Sequence, residues 1–202
     1  AAFINSTYPS TCFLRIGYEF DSDSNHYDIN SYKLAFQIIV NIFRNNKVNN
    51  VKFVWHASGF PPRNNIPIES WYPVDEFVDI CAVSLFQQPY NDCKYDNYGK
   101  VLCQMTFVNN ILSFCRNKHI PLMIAESTPF GGIIETVDGV NRAGFSGHTW
   151  PNWFHPIIQL INEFDITYWN YINSDWDAFP VYQKEHSPGI YWVDSRIVGM
   201  YH

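Results

Sequence analysis

Five short runs that are apolar on both faces recur along this chain: Cys12 to Tyr18, Val51 to Trp55, Asp79 to Leu85, Leu122 to Ala125 and Ile166 to Tyr171. Strands that alternate apolar and polar residues bury one face, whereas runs like these must be covered on both. Between them lie segments of helical periodicity. In Ser31 to Arg44, apolar residues fall at Leu34, Ala35, Ile38, Ile39, Ile42 and Phe43, and Val101 to Arg116 and Trp153 to Phe164 read the same way. Val74 to Phe77 reads as a short acidic turn. The order β-α-β-loop-β-α-β-α-β predicts an α/β fold with parallel strands covered by helices.

The 202 residues are 47% hydrophobic and 16% charged, enough for a substantial core in one domain. Net charge is −6, and the thirteen Lys and Arg residues are scattered, which argues against a nucleic-acid partner. Apolar stretches such as Ala35 to Phe43 stop well short of the roughly 20 residues a membrane span needs, so no membrane partner is expected. The cysteines Cys12, Cys81, Cys93, Cys103 and Cys115 include no CxxC pair and no histidine at metal-ligand spacing. No metal site and no cofactor is expected. Cys93 and Cys103 bracket a polar segment that a disulfide would close in an oxidising compartment, and Cys81, inside an apolar strand, reads as a buried thiol. Asn5-Ser6-Thr7 is a glycosylation sequon. Together these point to a secreted, extracellular glycoprotein whose signal peptide has been removed or lies upstream of residue 1.

Aromatic residues make up 18% of the chain. Many belong in the core. Trp71, Trp150, Trp153, Trp176 and Trp192 lie among Asn, Ser, Pro, Gly and Asp, the residues of loops. Rings there either stack on the C–H faces of sugars or pack the loops themselves.

Two of the apolar runs stop at a glutamate: FLRIGYE ends at Glu19 and PLMIAE at Glu126. In α/β barrels the reactive groups sit where a strand passes into its βα loop. Paired carboxylates in such places point to hydrolysis of a glycosidic bond. Five strands are legible where a closed barrel has eight, and Ala1 to Thr11 has no room for three more βα units. The expectation is therefore a (β/α)8 TIM barrel of which residues 1–202 form the C-terminal portion, strands four to eight, with strands one to three outside the chain. A complete five-stranded doubly wound sheet is the competing arrangement, though the chain lacks a Gly-rich phosphate loop after a strand.

The segments FLRIGYEFD, FVWH at 53–56, WYPVDEFVDICAVSLF at 71–86, PLMIAESTP, WPNWF at 150–154, YWNYINSDWD at 168–177 and WVDSR at 192–196 resemble the mannanase-type, family 26-like glycoside hydrolases. The similarity runs over nearly the whole chain, in the order of strands four to eight of those retaining (β/α)8 enzymes. It implies that Glu19 is the acid/base, at the end of strand four, and Glu126 the nucleophile, at the end of strand seven. The chain departs from the better-known members at Tyr18, where they carry Asn or His, so the contact to the sugar 2-hydroxyl or to the acid is altered.

That chemistry demands unlike environments: a general acid keeps its proton near neutrality, while a nucleophilic carboxylate must be ionised. Strand alternation puts Arg15 on the side of Gly17 and Glu19, where it either holds a carboxylate ionised or makes a structural salt bridge. Trp176 is the candidate floor of the subsite beside the cleaved bond. Trp55, His56 and Phe86 end strands on the catalytic rim. His148 and Trp150 follow the Gly-containing segment 142–147, and either histidine can equally be structural. Asn170 and Asn173 bind sugar hydroxyls or cap the turn.

Two functions follow. The first is a retaining endo-β-glycosidase, using two-glutamate double displacement on a β-mannan or related β-linked polysaccharide. The alternative is a non-catalytic extracellular carbohydrate-binding or structural protein derived from such an enzyme. The expected partners are the polysaccharide or oligosaccharide and the N-terminal remainder of the barrel.

Overall fold

A computed structural model describes residues 1–22, 24–60, 66–86, 94–95, 101–102, 104–129, 132–133, 136–137, 140–141, 150–180 and 194–197. The elements in chain order are α1 (Ala2–Ser6), β1 (Cys12–Arg15), α2 (Ile29–Asn45), β2 (Val51–Ala57), β3 (Ile80–Leu85), β4 (Lys94–Tyr95), β5 (Val101–Leu102), α3 (Gln104–Asn117), β6 (Leu122–Ser127), β7 (Thr136–Val137), β8 (Val140–Asn141), α4 (His155–Phe164) and β9 (Tyr168–Trp169). β1, β2, β3, β6 and β9 pair in that order, every pair parallel, into one five-stranded sheet. This is the curled part-barrel expected. Phe13 on one edge strand and Tyr168 on the other meet edge to face, with ring centroids 4.9 Å apart.

Two apolar layers divide the strand residues by parity. On the helix side, Val51, Phe53, Trp55 and Ala57 of β2, Cys81, Val83 and Leu85 of β3, and Leu122 and Ile124 of β6 pack beneath Phe36, Val40 and Phe43 of α2, Leu112 of α3 and Ile157 of α4. On the concave side a smaller cluster joins Val54, Ile80, Ala82, Met123 and Ala125.

Several expectations change at the helices and turns. α2 begins where Asp28 accepts a hydrogen bond from the Ser31 N–H at 2.9 Å. It buries Tyr32, Phe36, Val40 and Phe43, whereas Leu34, Ile38 and Ile42 remain exposed. The apolar arc of the helix is wider than the stripe it buries, so periodicity alone could not say which part of that arc faces the sheet. Val101 and Leu102 are not helical; they pair antiparallel with Lys94 and Tyr95. Trp71 and Trp153 are 2% and 0% exposed, core residues rather than loop platforms. Trp192 lies outside the described residues.

Cys81 is not a free thiol: it is joined to Cys115, tying β3 to α3. Strand and helix place both residues in the one helix-side core, a proximity that a separation of 34 residues does not reveal. Cys93 and Cys103 lie outside the described residues, and Cys12 is free.

By the loop-closure relation a cross-link of this span stabilises by about 3–4 kcal/mol. The double variant Cys81→Ala/Cys115→Ala should therefore show a lower urea midpoint, with an m-value equal to or larger than the parent's because the uncross-linked denatured chain exposes more surface. An unchanged midpoint would remove the disulfide from the stability account.

Candidate active site

Pairing of β1 stops at Arg15, short of the glutamate. The run from Ile16 onward is a tight turn, with Gly17 at φ +56° and Glu19 at φ 49°. Only glycine suits position 17, because a Cβ there would come within 2.9 Å of the Tyr32 ring. Glu19 holds a left-handed conformation that a non-glycine residue adopts at a cost, and its neighbours fix it there. Asn25 Nδ2 donates to the carbonyls of both Tyr18 and Glu19 at 3.0 Å, and the Ser22 N–H donates to the Glu19 carbonyl at 2.9 Å. Phe20, fully buried, stacks on Trp55 at 4.8 Å and touches Tyr32 and Trp71.

Trp55 is therefore corrected from rim platform to core. It is wholly buried on the helix side, because its odd-numbered parity in β2 turns it away from the concave face that its neighbour His56 occupies.

Glu126 reaches the site by a different device. Val83 is paired with Ile124, but Ser84 is paired with Glu126, so Ala125 is an extra residue on β6. Strict alternation would send Glu126 to the helix side with Leu122 and Ile124. The bulge turns it instead to the face of Ala125 and Ser84, where Arg15 donates to its Oε1 in an ion pair.

The polar groups on the concave rim form a connected set. Arg15 Nη1 lies 3.4 Å from His56 Nδ1, His56 Nε2 lies 3.0 Å from Ser84 Oγ, and the Ser84 hydroxyl donates to Glu19 Oε1 at 2.6 Å. These residues come from β1, β2 and β3, with Glu126 on β6 and Glu19 just beyond β1. His56 and Ser84 are fully buried. Burial, with the Arg15 charge beside it, lowers the His56 pKa to about 3, so the ring is neutral. Burial likewise raises the Glu19 pKa; the Ser84 hydrogen bond and Arg15 oppose the rise, and the nearby Glu126 and Asp21 charges add to it.

The other sequence-derived residues are more scattered. Tyr18 is half exposed, with the Arg15 guanidinium 5.8 Å from its ring centre. Phe86 is buried at the end of β3, its N–H bonded to Gln104 Oε1 at 3.1 Å. Asn170 is exposed after β9; its side-chain amide reaches the Ala125 carbonyl at 3.4 Å, bracing the bulge. Asn173 Oδ1 accepts from the Ile197 N–H. Trp176 opens a 3₁₀ turn and donates through Nε1 to Ser195 Oγ at 2.9 Å. His148 lies outside the described residues, and Trp150 begins a π-helical turn whose first side chain is not described.

Sequence reading missed Ser84, Asn25, Thr128 and Ser195. Ser195 is buried; besides Trp176 it accepts from Thr128 Oγ1 at 2.7 Å and donates to the Ser174 carbonyl. It thus fastens the Trp176 turn to the segment just after Glu126. Serines carry no pattern, and only proximity in the fold could have identified these. Among the described residues no group of three His, Cys, Asp or Glu is placed to hold a metal. The arrangement places a carboxyl with a raised pKa and a cation-paired carboxylate on the same rim.

The profile of glycosyl hydrolase family 26 matches residues 20–128, more than half of the chain. Glu126 lies inside that match and Glu19 one residue before it. Among curated proteins, a β-1,3-xylanase of Vibrio sp. is 28% identical over 196 aligned positions, covering 92% of this chain and 40% of that protein. A β-1,3-xylanase of Alcaligenes sp. is 27% identical, covering 92% and 39%. The chain thus spans about two fifths of the curated relatives it matches. Among solved structures, a Cellulomonas fimi endo-β-1,4-mannanase superposes with a TM-score of 0.54 at 17% identity, over 82% of this chain and 36% of that one. A family 26 β-mannanase from Bacteroides ovatus gives 0.51 at 13%, over 92% and 46%. These two likenesses bear on the fold alone.

A half-buried carboxyl with a raised pKa, as at Glu19, holds its proton more tightly in the folded than in the unfolded protein. Stability is therefore lost as pH rises from the unfolded pKa through the folded one. Glu19→Gln removes that loss. The variant should melt higher than the parent at pH 8, with the advantage shrinking as pH falls to 4. A pH-independent difference would show that Glu19 does not titrate as placed.

Proposed function

The chain belongs to glycosyl hydrolase family 26, and from that we propose that it carries the catalytic rim of a retaining endo-β-glycosidase acting on a β-1,3-linked xylan. The observation that carries the reading is the unlike setting of two carboxyls on one rim. Glu126 is paired with Arg15, and Glu19 is half-buried with its pKa raised by desolvation. In the first step a Glu126 oxygen bonds to the anomeric carbon while the glycosidic C–O bond breaks, and Glu19 gives its proton to the leaving oxygen. In the second, Glu19 takes a proton from water as the water oxygen bonds to that carbon and Glu126 is released. Arg15 makes an ion pair with the nucleophile. The xylan, rather than a mannan, follows from the printed activity of the two curated relatives, which match 92% of the chain, while the mannanase likenesses fall under 20% identity.

We propose also that residues 1–202 are the strand-four-to-eight portion of a larger barrel. Supporting this are the outer edges of β1 and β9, which pair with no other strand among the described residues, the concave-side Phe13 and Tyr168, each 37% exposed, and the second apolar stripe of Leu34, Ile38 and Ile42. Edges and faces of that kind ask for cover. Secretion is the matching reading of location: a disulfide joins Cys81 and Cys115, the sequon residue Asn5 is exposed, and among the described residues no helix is long and apolar enough to cross a membrane.

Hydrolysis of β-1,3-xylan, β-1,4-xylan, β-1,4-mannan and β-1,3-glucan by the full-length protein tests the function. β-1,3-Xylan should be cut, with the β-anomer released first by proton NMR. Glu126→Ala should abolish turnover, and Glu19→Ala should lower it by about 10²- to 10⁴-fold. Cleavage of mannan alone would overturn the linkage. Binding without turnover would make the chain the non-catalytic relative. Residues 1–202 expressed alone should self-associate; a monomer that unfolds cooperatively would overturn the part-barrel proposal.

A further inference from the structure

Arg15, His56 and Ser84 link the two carboxyls in one run of contacts. Resting on the reading of Glu19 as proton donor, we propose that Ser84 and His56 are a positioning pair that fixes which oxygen of Glu19 carries the transferable proton. Donor arithmetic gives the direction of every bond. A guanidinium has five N–H donors and no acceptor, so at the Arg15 contact His56 Nδ1 must accept. The imidazole hydrogen is then on Nε2, and that N–H donates to Ser84 Oγ. Having accepted there, the serine hydroxyl turns its single proton to Glu19 Oε1 at 2.6 Å. Oε1 is committed as an acceptor, and the acid proton belongs on Oε2.

The direction does not reverse in the working pH range. A protonated His56 would point Nδ1–H at Arg15, and burial together with that same charge holds the ring neutral down to a pKa of about 3. His56 is thus a neutral spacer rather than a proton shuttle. The groups facing Glu19 are Ser84 from β3, Glu126 from β6, Arg15 from β1 and Asp21 from its own turn. Ser84 is the one among them that makes a hydrogen bond to the Glu19 carboxyl. Glu19 reaches across from the turn after β1 to meet it, and this side-chain bond complements the backbone bonds from Asn25 and Ser22.

The experiment is carbon-13 NMR titration of glutamate carboxyls in the full-length protein, with Glu19 assigned through Glu19→Gln. It is run on the parent, Ser84→Ala, Ser84→Thr and His56→Phe, beside kcat and KM on the polysaccharide. Because the hydroxyl stabilises ionised Glu19, Ser84→Ala should move its titration midpoint and the alkaline limb of the rate profile to higher pH. It should also lower kcat by about ten- to a hundredfold, with KM changing by less than about twofold. Ser84→Thr should restore both, and His56→Phe should follow Ser84→Ala in direction. Nitrogen-15 NMR should find the His56 hydrogen on Nε2. An unmoved Glu19 midpoint in folded Ser84→Ala, or a hydrogen on Nδ1, would overturn the pair. Should every form lack turnover, the glycosidase reading fails while the midpoint and the tautomer still decide the positioning claim.

Discussion

One extra residue in β6 decides which side of the sheet carries a charge. Without Ala125 as a bulge, alternation would place Glu126 among the apolar side chains beneath the helices. An ionised carboxylate there would lose its hydration and gain no cation. With the bulge it faces Arg15. The irregularity is braced from outside: the Asn170 amide reaches the Ala125 carbonyl, and Ser127 Oγ donates to the Asn170 carbonyl while accepting from Trp169 Nε1. β9 is only two residues long, yet its side chains and the one after it hold the bulge open.

The two carboxyls are then separated in character by what surrounds them. Glu126 is the cation-paired one; Glu19 sits above a neutral hydroxyl, with negative neighbours and reduced solvent. Both are reached by Arg15, one directly and the other through His56 and Ser84. A neutral imidazole is suited to that middle position because it accepts at one nitrogen and donates at the other. The aromatic stack of Phe20 on Trp55 supplies the floor that keeps the Glu19 turn in place. Local strain at Glu19 is thus held by core packing on one side and by hydrogen bonds on the other.

Among the described residues, several large apolar side chains stay exposed. The concave cluster is small, and α2 presents a second apolar stripe outward. The relatives matched are more than twice as long. The proposed larger barrel would pair the β1 edge and cover this surface.

The sequence by itself determined the five parallel strands, their order with three long helices between them, and the two glutamates, because apolar periodicity and strand length are local properties. It also carried the family, through motifs spread along the chain. It did not determine which stripe of α2 faces the sheet, since both are apolar, nor that Trp55, Trp71 and Trp153 are core. Tertiary structure decided those, together with the Cys81–Cys115 bond, the Ala125 bulge and the roles of Ser84, Asn25 and Ser195. The physical reason is common to all of them. Each depends on which side chains distant segments bring within hydrogen-bonding or packing distance, and a serine beside a strand end reads alike whether it faces solvent or a half-buried carboxyl.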